Sequence, residues 1–402
     1  MVGNKLEKSF LLITSTNFPS GGAGANYLNL FCKGLKFNGY NIKVVLLKGF
    51  AFGKFSTKHN RENVTTDGVE FRYLGKLARP HNPFYKIVDE FFVHIKLIGL
   101  MFSLLPKRKT TSLLVYNNEV HTNFVIYTMA SLFGVKIISF VPEYYSKETF
   151  NGSFFRRIKW YGFLFNFKYL NTLSYKLIVF SHYLKDQYLN LGFKESNIIV
   201  QPNLTDFDFW EIKHPDIKYT LGYSGTPAVE NGLLDLFAAM SILKKEGINT
   251  TLSVIGDRLF GNSLIPELME VCKDFDIAEN VVFKGLVELD EVKKYLSECE
   301  ILTLTRPAII QTLAGFPTKL GEYFASGKKV IVTNFGDIEK YFRNQEELVI
   351  ALSGDVEDIA KKIKWIIQNG EKAELLTQEG YKKARDMLEY KSNVNKIASL
   401  IS

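Results

Sequence analysis

Cysteine is scarce in this chain of 402 residues, which contains only three. Cys32, Cys272 and Cys299 are odd in number and far apart in the sequence. This spacing excludes a disulfide framework and a cysteine-based metal site, so we expect a reducing compartment, the cytosol. The chain also lacks an internal repeat and a low-complexity tract, and its short, charged start is not typical of a signal peptide.

Long uncharged hydrophobic runs are missing as well. The most apolar stretch, Phe84–Leu105, contains Asp89, Glu90, His94 and Lys96. These residues argue against a helix that crosses a membrane. The stretch either packs inside a domain or lies at a membrane surface.

The third absence is the dinucleotide-binding fingerprint. The loop Asn17–Gly24 follows the first predicted strand and is rich in glycine, which would let backbone N–H groups approach a phosphate. Its glycine spacing differs from the fingerprint, and no acidic residue follows the second strand at Leu47 and Lys48. A nicotinamide cofactor is therefore disfavoured.

The composition is that of a globular protein with a mild positive charge. Hydrophobic residues make up 46% of the chain, which argues against global disorder. Lysine and arginine number 50 against 42 acidic residues, a surplus of 8. From the length and this surplus we expect two domains and an anionic partner, which could be a phosphorylated ligand, a membrane surface or nucleic acid.

Short apolar runs separated by helical stretches predict an α/β fold with two doubly wound, Rossmann-like domains. The first series begins with a strand at Ser9–Ser15, a glycine-rich loop and a helix at Ala25–Phe37. A second series of the same kind begins at Tyr219. We expect a ligand cleft between the two domains. The predicted segments are a first domain at residues 1–205, a second domain at residues 206–385 and a final helix at residues 386–402.

The stretch Gly315–Gly327 combines several helix signals. Pro317 suits the first helical position, and Gly327 suits the residue after the last. Leu320 and Phe324 are four residues apart and would share the buried face. The stretch therefore predicts a short helix between a loop and a strand.

Lys319 and Glu322 would share the polar face of this helix. A cation in the first turn is unfavourable beside the positive end of the helix dipole unless an anion, such as a phosphate, binds there. Glu322 could accept hydrogen bonds from the hydroxyls of a ligand. The alternative is an ordinary surface ion pair.

The segment Phe154–Tyr169 combines basic and aromatic residues. Its cations are Arg156, Arg157, Lys159 and Lys168, and they alternate with phenylalanine, tyrosine and tryptophan. This composition is typical of a helix that lies in a membrane interface. The alternative is packing inside the first domain.

Five stretches follow one another in a specific order. They are the loop with Gly21 and Gly22, Ser181–Leu184 before Pro202 and Asn203, Tyr223–Thr226, Val254–Asp257, and Gly315–Gly327. In this order the chain resembles the retaining GT-B glycosyltransferases of family 4, the group 1 enzymes. The resemblance covers nearly the whole chain and is more specific in the second domain.

The resemblance implies a nucleotide sugar held mainly by the second domain. The glutamate at the position of Glu322 would hold the ribose hydroxyls, and the loop with Gly21 and Gly22 would lie near the diphosphate. No resident cofactor is implied. The predicted donor-binding residues are Gly21, Gly22, Gly225, Thr226, Arg258, Arg306, Thr318, Lys319 and Glu322.

The chain departs from the family at charged positions. Thr226 and Asn231 stand where an arginine and a lysine are often found, and Ala314 stands where a first glutamate is common. We expect other cations to balance the negative charge of the diphosphate. For each arginine among them, the alternative role is a surface ion pair. These cations are Lys319, Arg306 and Arg258.

Two histidines that are common in the family are missing too. Asn117 or Asn118 stands at the first position, with His121 a few residues on, and Pro142 stands at the second, ahead of Glu143. The predicted catalytic residues are Glu143, Asn118 and His121, which would position the acceptor or the sugar, although His121 suits a structural role better. No protein nucleophile is evident, and the resemblance implies that the departing diphosphate accepts the proton of the acceptor.

The sequence therefore predicts a cytoplasmic glycosyltransferase, peripheral on the membrane, that moves a sugar from a nucleotide diphosphate to a glycan. We expect the glycan to be lipid-linked and to serve cell-surface polysaccharide synthesis. The alternatives are a catalytically degenerate partner subunit and a nucleotide-sugar 2-epimerase. Nucleic acid is disfavoured as a partner because the basic residues do not gather beside a known motif. Asp206 and Asp208 resemble a metal-binding pair, but Phe207 and Trp210 favour packing there, so we expect no metal.

Overall fold

The computed structural model describes residues 9–49, 62–78, 80, 82–105, 112–212, 216–228, 231–258 and 261–401. The chain divides into two compact units. The first unit consists of Met1–Leu204 and Tyr390–Ser402, and the second consists of Thr205–Glu389.

Strands and helices alternate along both units. The strands are β1 (Ser9–Thr14), β2 (Asn41–Leu46), β3 (Glu62–Val64), β4 (Glu70–Tyr73), β5 (Ser112–Tyr116), β6 (Lys136–Val141), β7 (Lys176–Val179), β8 (Ile198–Val200), β9 (Tyr219–Ser224), β10 (Leu252–Ile255), β11 (Val281–Gly285), β12 (Cys299–Leu304), β13 (Lys329–Thr333) and β14 (Val349–Ala351). The α-helices are α1 (Ala23–Phe37), α2 (Pro83–Leu104), α3 (Val120–Phe133), α4 (Phe154–Phe165), α5 (His182–Asn190), α6 (Phe207–Trp210), α7 (Leu233–Lys245), α8 (Ile265–Asp274), α9 (Leu289–Ser297), α10 (Ile310–Ala314), α11 (Thr318–Ala325), α12 (Ile338–Tyr341), α13 (Val356–Gln368), α14 (Gly370–Leu388) and α15 (Tyr390–Ile401). A π-helical turn, Asn166–Leu170, continues α4.

The sheet of the first unit has the strand order β3-β4-β2-β1-β5-β6-β7-β8. Neighbouring strands are parallel, except that β3 runs antiparallel to β4. The central strands are apolar runs because both of their faces are buried. The chain order reverses beside β1, so the edge between β1 and β5 is a topological switch point, where open α/β sheets bind ligands.

Alternate side chains of β1 face two separate cores. Phe10 and Leu12 pack with α1 and α15, whereas Leu11 and Ile13 pack with α2 and α3. This division follows from the two-residue period of a strand. The first unit therefore has helices on both faces of its sheet.

Helix α15 completes the first of these cores although the whole second unit precedes it in sequence. Val394 and Ile397 are buried there against α1. The approach is close, since a Cβ placed on Gly34 would lie 2.8 Å from Val394. The final helix, predicted at residues 386–402, begins at Tyr390 because α14 continues to Leu388, and it supplies apolar side chains to the first core.

The sheet of the second unit is parallel throughout, in the order β11-β10-β9-β12-β13-β14. Its switch point lies between β9 and β12. The predicted strands are present in both units. The sequence missed β3 and β14, which are only three residues long.

Helix α11 lies in the predicted stretch. Leu320 and Phe324 are buried, and Gly327 follows the helix with a φ of +68°, as expected. The prediction for Pro317 was wrong by one residue: its ψ of 119° is extended, so Pro317 caps the helix and Thr318 is the first helical residue.

Candidate active site

The carboxyl ends of the parallel strands meet at one edge of the second unit. Gly225 and Thr226 follow β9, Arg258 lies in the loop after β10, and Arg306 lies in the loop after β12. Because β9 and β12 flank the switch point, these loops surround the position where such sheets bind ligands. The structure thus brings the loops with these four predicted donor-binding residues to one edge.

Helix α11 is attached to the same edge. The Tyr323 hydroxyl accepts a hydrogen bond from the backbone N–H of Ser224, at the end of β9, at 2.9 Å. On the polar face, the Lys319 Nζ lies 2.8 Å from the Glu322 Oε2, and the two side chains are 22% and 12% exposed. The ion pair that the sequence left as an alternative is therefore present, together with Thr318 in the first turn.

Thr226 and Asn231, which stand where the family often has charged residues, are hydrogen-bonded to each other after β9. The Asn231 side-chain amide donates a hydrogen bond to the Thr226 carbonyl at 2.8 Å, and the Tyr223 hydroxyl donates to the same carbonyl at 2.9 Å. Asn231 therefore links the residues just before α7 to Thr226. A lysine at this position could not preserve the amide hydrogen bond in the same form.

The two arginines differ in their surroundings. Arg258 is exposed, and its backbone N–H donates to the Asp257 carboxylate at 2.7 Å. Arg306 is half-buried, and its carbonyl accepts hydrogen bonds from Thr333 at 2.6 Å and from Ser353 at 3.2 Å. The last residue of β13 and the loop after β14 thus hold the backbone of Arg306 in place.

The first unit has a cavity of about 240 Å³ at its own switch point. Its walls come from the ends of β5 and β6, from the loops after β1, β5 and β6, and from α1, α3, α4 and the segment that follows α4. It contains three predicted residues, Gly22, Asn118 and Glu143, whereas Gly21 is not part of its lining. The lining is mostly amide and aromatic: Asn17, Asn117, Asn118, Asn123, Asn166, Asn171, Tyr116, Phe140, Tyr145, Phe163 and Phe167.

Asn118 is buried, and its side chain joins the end of β5 to the end of β1 at the switch point. Its Nδ2 donates to the Ile13 carbonyl at 3.0 Å, and its Oδ1 accepts from the Ser15 hydroxyl at 3.1 Å. Both ends of the amide therefore bind the strand β1 and its loop. Asn118 lies at the cavity, but it acts there by shaping the wall.

Glu143 is the carboxylate of the cavity. The Tyr145 hydroxyl donates a short hydrogen bond to it. Burial, followed by the Glu143 charge, raises the pKa values of Tyr145 and Tyr116 well above the usual range. The sequence missed both tyrosines. The position of Tyr145, two residues after Glu143, was the signal available.

Asn123 and Asn166 form an amide pair in the wall. Asn123 is 4% exposed and donates to the Asn166 Oδ1 at 3.3 Å. Its own Oδ1 has no hydrogen-bond partner among the described residues. A buried amide oxygen without a partner is costly, so it is a natural acceptor for a ligand hydroxyl.

His121 lies elsewhere in the first unit, in a charged cluster. Its Nε2 is 3.5 Å from Glu119, and the potential ligand atoms of Glu90, Glu119 and His121 lie within 4.8 Å of one another. Lys48 already occupies the centre, with its Nζ 2.6 Å from Glu119 and 3.4 Å from Glu90. Although burial raises it, the hydrogen bond and charge of Lys48 lower the pKa of Glu119 overall. The cluster is an ion-pair network around a lysine.

The acidic pair Asp206 and Asp208, at the start of the second unit, has structural partners. The Asp206 carboxylate accepts from the Phe209 N–H at 3.1 Å and caps α6. Asp208 pairs with Arg385 at 3.5 Å. Phe207 and Trp210 are buried, as the sequence predicted.

The sequence of the second unit matches a known protein family. Residues 205–383 match the model of the family described as glycosyl transferases group 1. The match covers nearly all of the second unit, which is therefore similar in sequence to this family. The prediction of a glycosyltransferase is confirmed for this domain, and no curated protein matches the chain.

Solved structures resemble the chain along its whole length. HepE from Anabaena in complex with UDP is 16% identical, with a TM-score of 0.70 and coverage of 98% of each chain. A sucrose-phosphate synthase from Thermosynechococcus elongatus is 14% identical, with a TM-score of 0.72 and the same coverage. A glycosyltransferase from Rickettsia africae is 13% identical, with a TM-score of 0.73 and 98% coverage of each chain. These likenesses confirm the predicted fold class, two Rossmann-like units of the GT-B type.

Proposed function

We propose that the protein is a retaining glycosyltransferase of family 4 that moves a sugar from a nucleotide-diphosphate sugar to a glycan. The observation that carries this proposal is the group 1 domain with Glu322 and Lys319 on the polar face of α11, beside the switch point of its sheet. HepE, which shares the fold, has been crystallised with UDP and with UDP-glucose. We therefore take uridine diphosphate sugars as the first candidate donors.

A nucleotide diphosphate has ribose hydroxyls, which need hydrogen-bond acceptors, and a charged diphosphate, which needs cations or N–H donors. Glu322 would accept hydrogen bonds from the ribose hydroxyls. Lys319, Arg306 and Arg258, with the N–H groups at the start of α11, would balance the diphosphate charge. Gly225 and Thr226 would approach the donor through their backbone.

The reaction would break the bond between the anomeric carbon and the diphosphate oxygen. A bond from the acceptor oxygen to the same carbon would form on the same face, which retains the configuration. The acceptor proton would pass to the departing diphosphate oxygen, so no protein nucleophile is needed. The cations at the donor site would stabilise the negative charge that develops on the leaving group.

The acceptor would be a glycan, and we propose that it is lipid-linked and belongs to cell-surface polysaccharide synthesis at the cytoplasmic side of a membrane. The cavity of the first unit suits a neutral sugar. Amide groups donate to and accept from hydroxyls, and aromatic rings pack against the apolar faces of sugars. Glu143 would orient one acceptor hydroxyl there.

A thermal-shift screen of nucleotide sugars tests the donor. We expect one uridine diphosphate sugar to raise the melting temperature most, because a ligand that binds only the folded state stabilises it. Incubation of that donor with glycan acceptors should then give a product whose new bond has the anomeric configuration of the donor by NMR. Inversion of that configuration would refute the retaining mechanism.

The same assay distinguishes the alternatives. A degenerate partner subunit deserves a test because the family's charged positions are occupied by Thr226 and Asn231, which are hydrogen-bonded to each other. Such a subunit would bind donor without transferring it, alone or with acceptors. A 2-epimerase would release nucleotide or a changed sugar without any acceptor.

Replacing Glu143 with glutamine is expected to lower kcat about 100-fold while leaving donor affinity unchanged. The amide keeps the size of the side chain but removes the charge beside Tyr145. The matched control is Glu148→Gln, an exposed carboxylate nearby that does not line the cavity. A normal kcat in Glu143→Gln would remove Glu143 from the site.

We expect no metal requirement. Transfer should proceed at an unchanged rate in excess chelator, because cations of the protein would balance the diphosphate. Loss of activity in chelator followed by recovery with manganese would overturn this expectation.

A further inference from the structure

Helix α2 exposes an apolar face to solvent. A surface helix normally buries one apolar stripe and presents polar residues on the other side. In α2, Val93, Leu97 and Met101 are buried against the sheet, yet the opposite side is apolar as well. The exposed side chains there are Phe84, Ile87, Phe91, Ile95 and Phe102.

Helix α4 repeats this arrangement with added positive charge. Its exposed apolar side chains are Phe154, Phe155, Ile158, Tyr161 and Phe165, and Phe155 is 75% exposed. Their spacing places them on one side of the helix. We call these residues, together with the exposed side chains of α2, the aromatic surface.

The two helices belong to one part of the first unit. Helix α3 contacts both α2 and α4, and Lys86 of α2 and Lys159 of α4 line the same cavity of about 190 Å³. The aromatic surface therefore extends across neighbouring helices. Large exposed apolar areas on a soluble protein mark sites of interaction with proteins, ligands or membranes.

The charges around the aromatic surface indicate what covers it. The segment Phe154–Leu173 has four basic residues and no acidic residue. Arg157 and Lys168 are exposed, and neither forms an ion pair with any described residue. The acidic residues of α2 point elsewhere: Asp89 accepts from the Lys76 N–H, and Glu90 pairs with Lys48.

We propose that the aromatic surface docks the first unit onto a bilayer that contains anionic lipids. Exposed phenylalanines would enter the acyl boundary, and arginine and lysine beside them would meet lipid phosphates. A second copy of this chain explains the surface less well, because two such basic faces would repel each other. Among the described helices, none is long and apolar enough to cross a membrane, so the docking is interfacial.

Flotation of the full chain with vesicles tests the proposal without any sugar. We expect the protein to float with phosphatidylglycerol–phosphatidylcholine vesicles and much less with phosphatidylcholine alone. Two variants should weaken this binding: Phe154→Ser with Phe155→Ser, by about tenfold or more, and Arg157→Gln with Lys168→Gln, by about 25-fold. All four side chains are exposed, so the fold should be unaffected.

Matched controls come from exposed residues of the second unit. Leu352→Ser with Leu375→Ser removes two exposed leucines, and Lys361→Gln with Lys372→Gln removes two exposed charges. Both controls should float like the parent chain. No flotation of the parent chain, or equal losses in controls and variants, would overturn the proposal. So would a dimer that dissociates in Phe154→Ser with Phe155→Ser, because a second copy would then cover the surface.

Donor binding by thermal shift should be the same in all these variants. Failure of membrane binding with normal donor binding would refute only the docking. Failure of donor binding with normal flotation would refute only the proposed sugar transfer.

Discussion

Replacing Glu322 with alanine is expected to weaken binding of the nucleotide sugar about 30- to 100-fold. Glu322 is mostly buried beside the switch point, and Lys319 holds its carboxylate at 2.8 Å. Hydrogen bonds from two ribose hydroxyls to a charged, oriented carboxylate are each stronger than neutral ones, and their loss costs about 2–3 kcal/mol. Isothermal titration calorimetry with the best donor of the thermal-shift screen measures the loss.

Another glutamate–lysine ion pair of the second unit serves as the control, because it lies at the opposite edge of the sheet from the proposed ligand site. Glu300 pairs with Lys329 at 2.7 Å, near the starts of β12 and β13. Glu300→Ala removes an ion pair without touching the ligand edge, so donor affinity should not change. The conservative variant Glu322→Gln should bind better than Glu322→Ala, because its amide oxygen still accepts a hydrogen bond. Unchanged affinity in Glu322→Ala would refute the assignment of this residue.

Replacing Gly232 with alanine is expected to destabilise the second unit by about 3–5 kcal/mol. Gly232 precedes α7 with a φ of +72°, and a Cβ there would lie 1.7 Å from the Thr305 carbonyl oxygen. This obstacle is backbone at the end of β12, and the Thr305 hydroxyl also donates to the Gly232 carbonyl at 2.6 Å. The loop and the strand would have to separate at the switch point.

Gly247 provides the comparison because it follows the same helix with a φ of +79° and has open space where a Cβ would stand. Gly247→Ala should cost only the strain of a left-handed alanine, about 1 kcal/mol. Scanning calorimetry should therefore show Gly232→Ala melting about 10 °C below Gly247→Ala. Equal melting temperatures would mean that close approach to Thr305 contributes little.

The sequence predicted the two doubly wound domains because strand, loop and helix signals agree at most positions. The buried runs of β1, β5 and β13 are apolar on both faces, so the sequence alone shows that they are buried strands. The sequence did not predict the short strands β3 and β14, because three residues are too few to show the alternation of buried and exposed side chains. Pro317 was placed one residue too far into α11, since cap and first turn share similar residues.

The site was harder to predict than the fold. Gly22, Asn118 and Glu143 do reach one cavity, because the ends of adjacent parallel strands meet there. Asn123 and Asn166 were missed, since nothing local distinguishes a cavity amide from one on the surface. His121 is close to Asn118 in sequence but belongs to the network of Lys48 and Glu119, because a helix turns successive side chains to different sides.

The position of α15 has a consequence for biosynthesis. The ribosome finishes the second unit before it makes Val394 and Ile397, which fill the core of the first unit. At about 5–20 residues per second, about 10–40 s pass between the synthesis of Leu204 and that of Val394. During that time the nascent first unit presents an unfilled apolar groove. The second unit is one continuous segment and needs no such wait, so it can fold before the unit that precedes it.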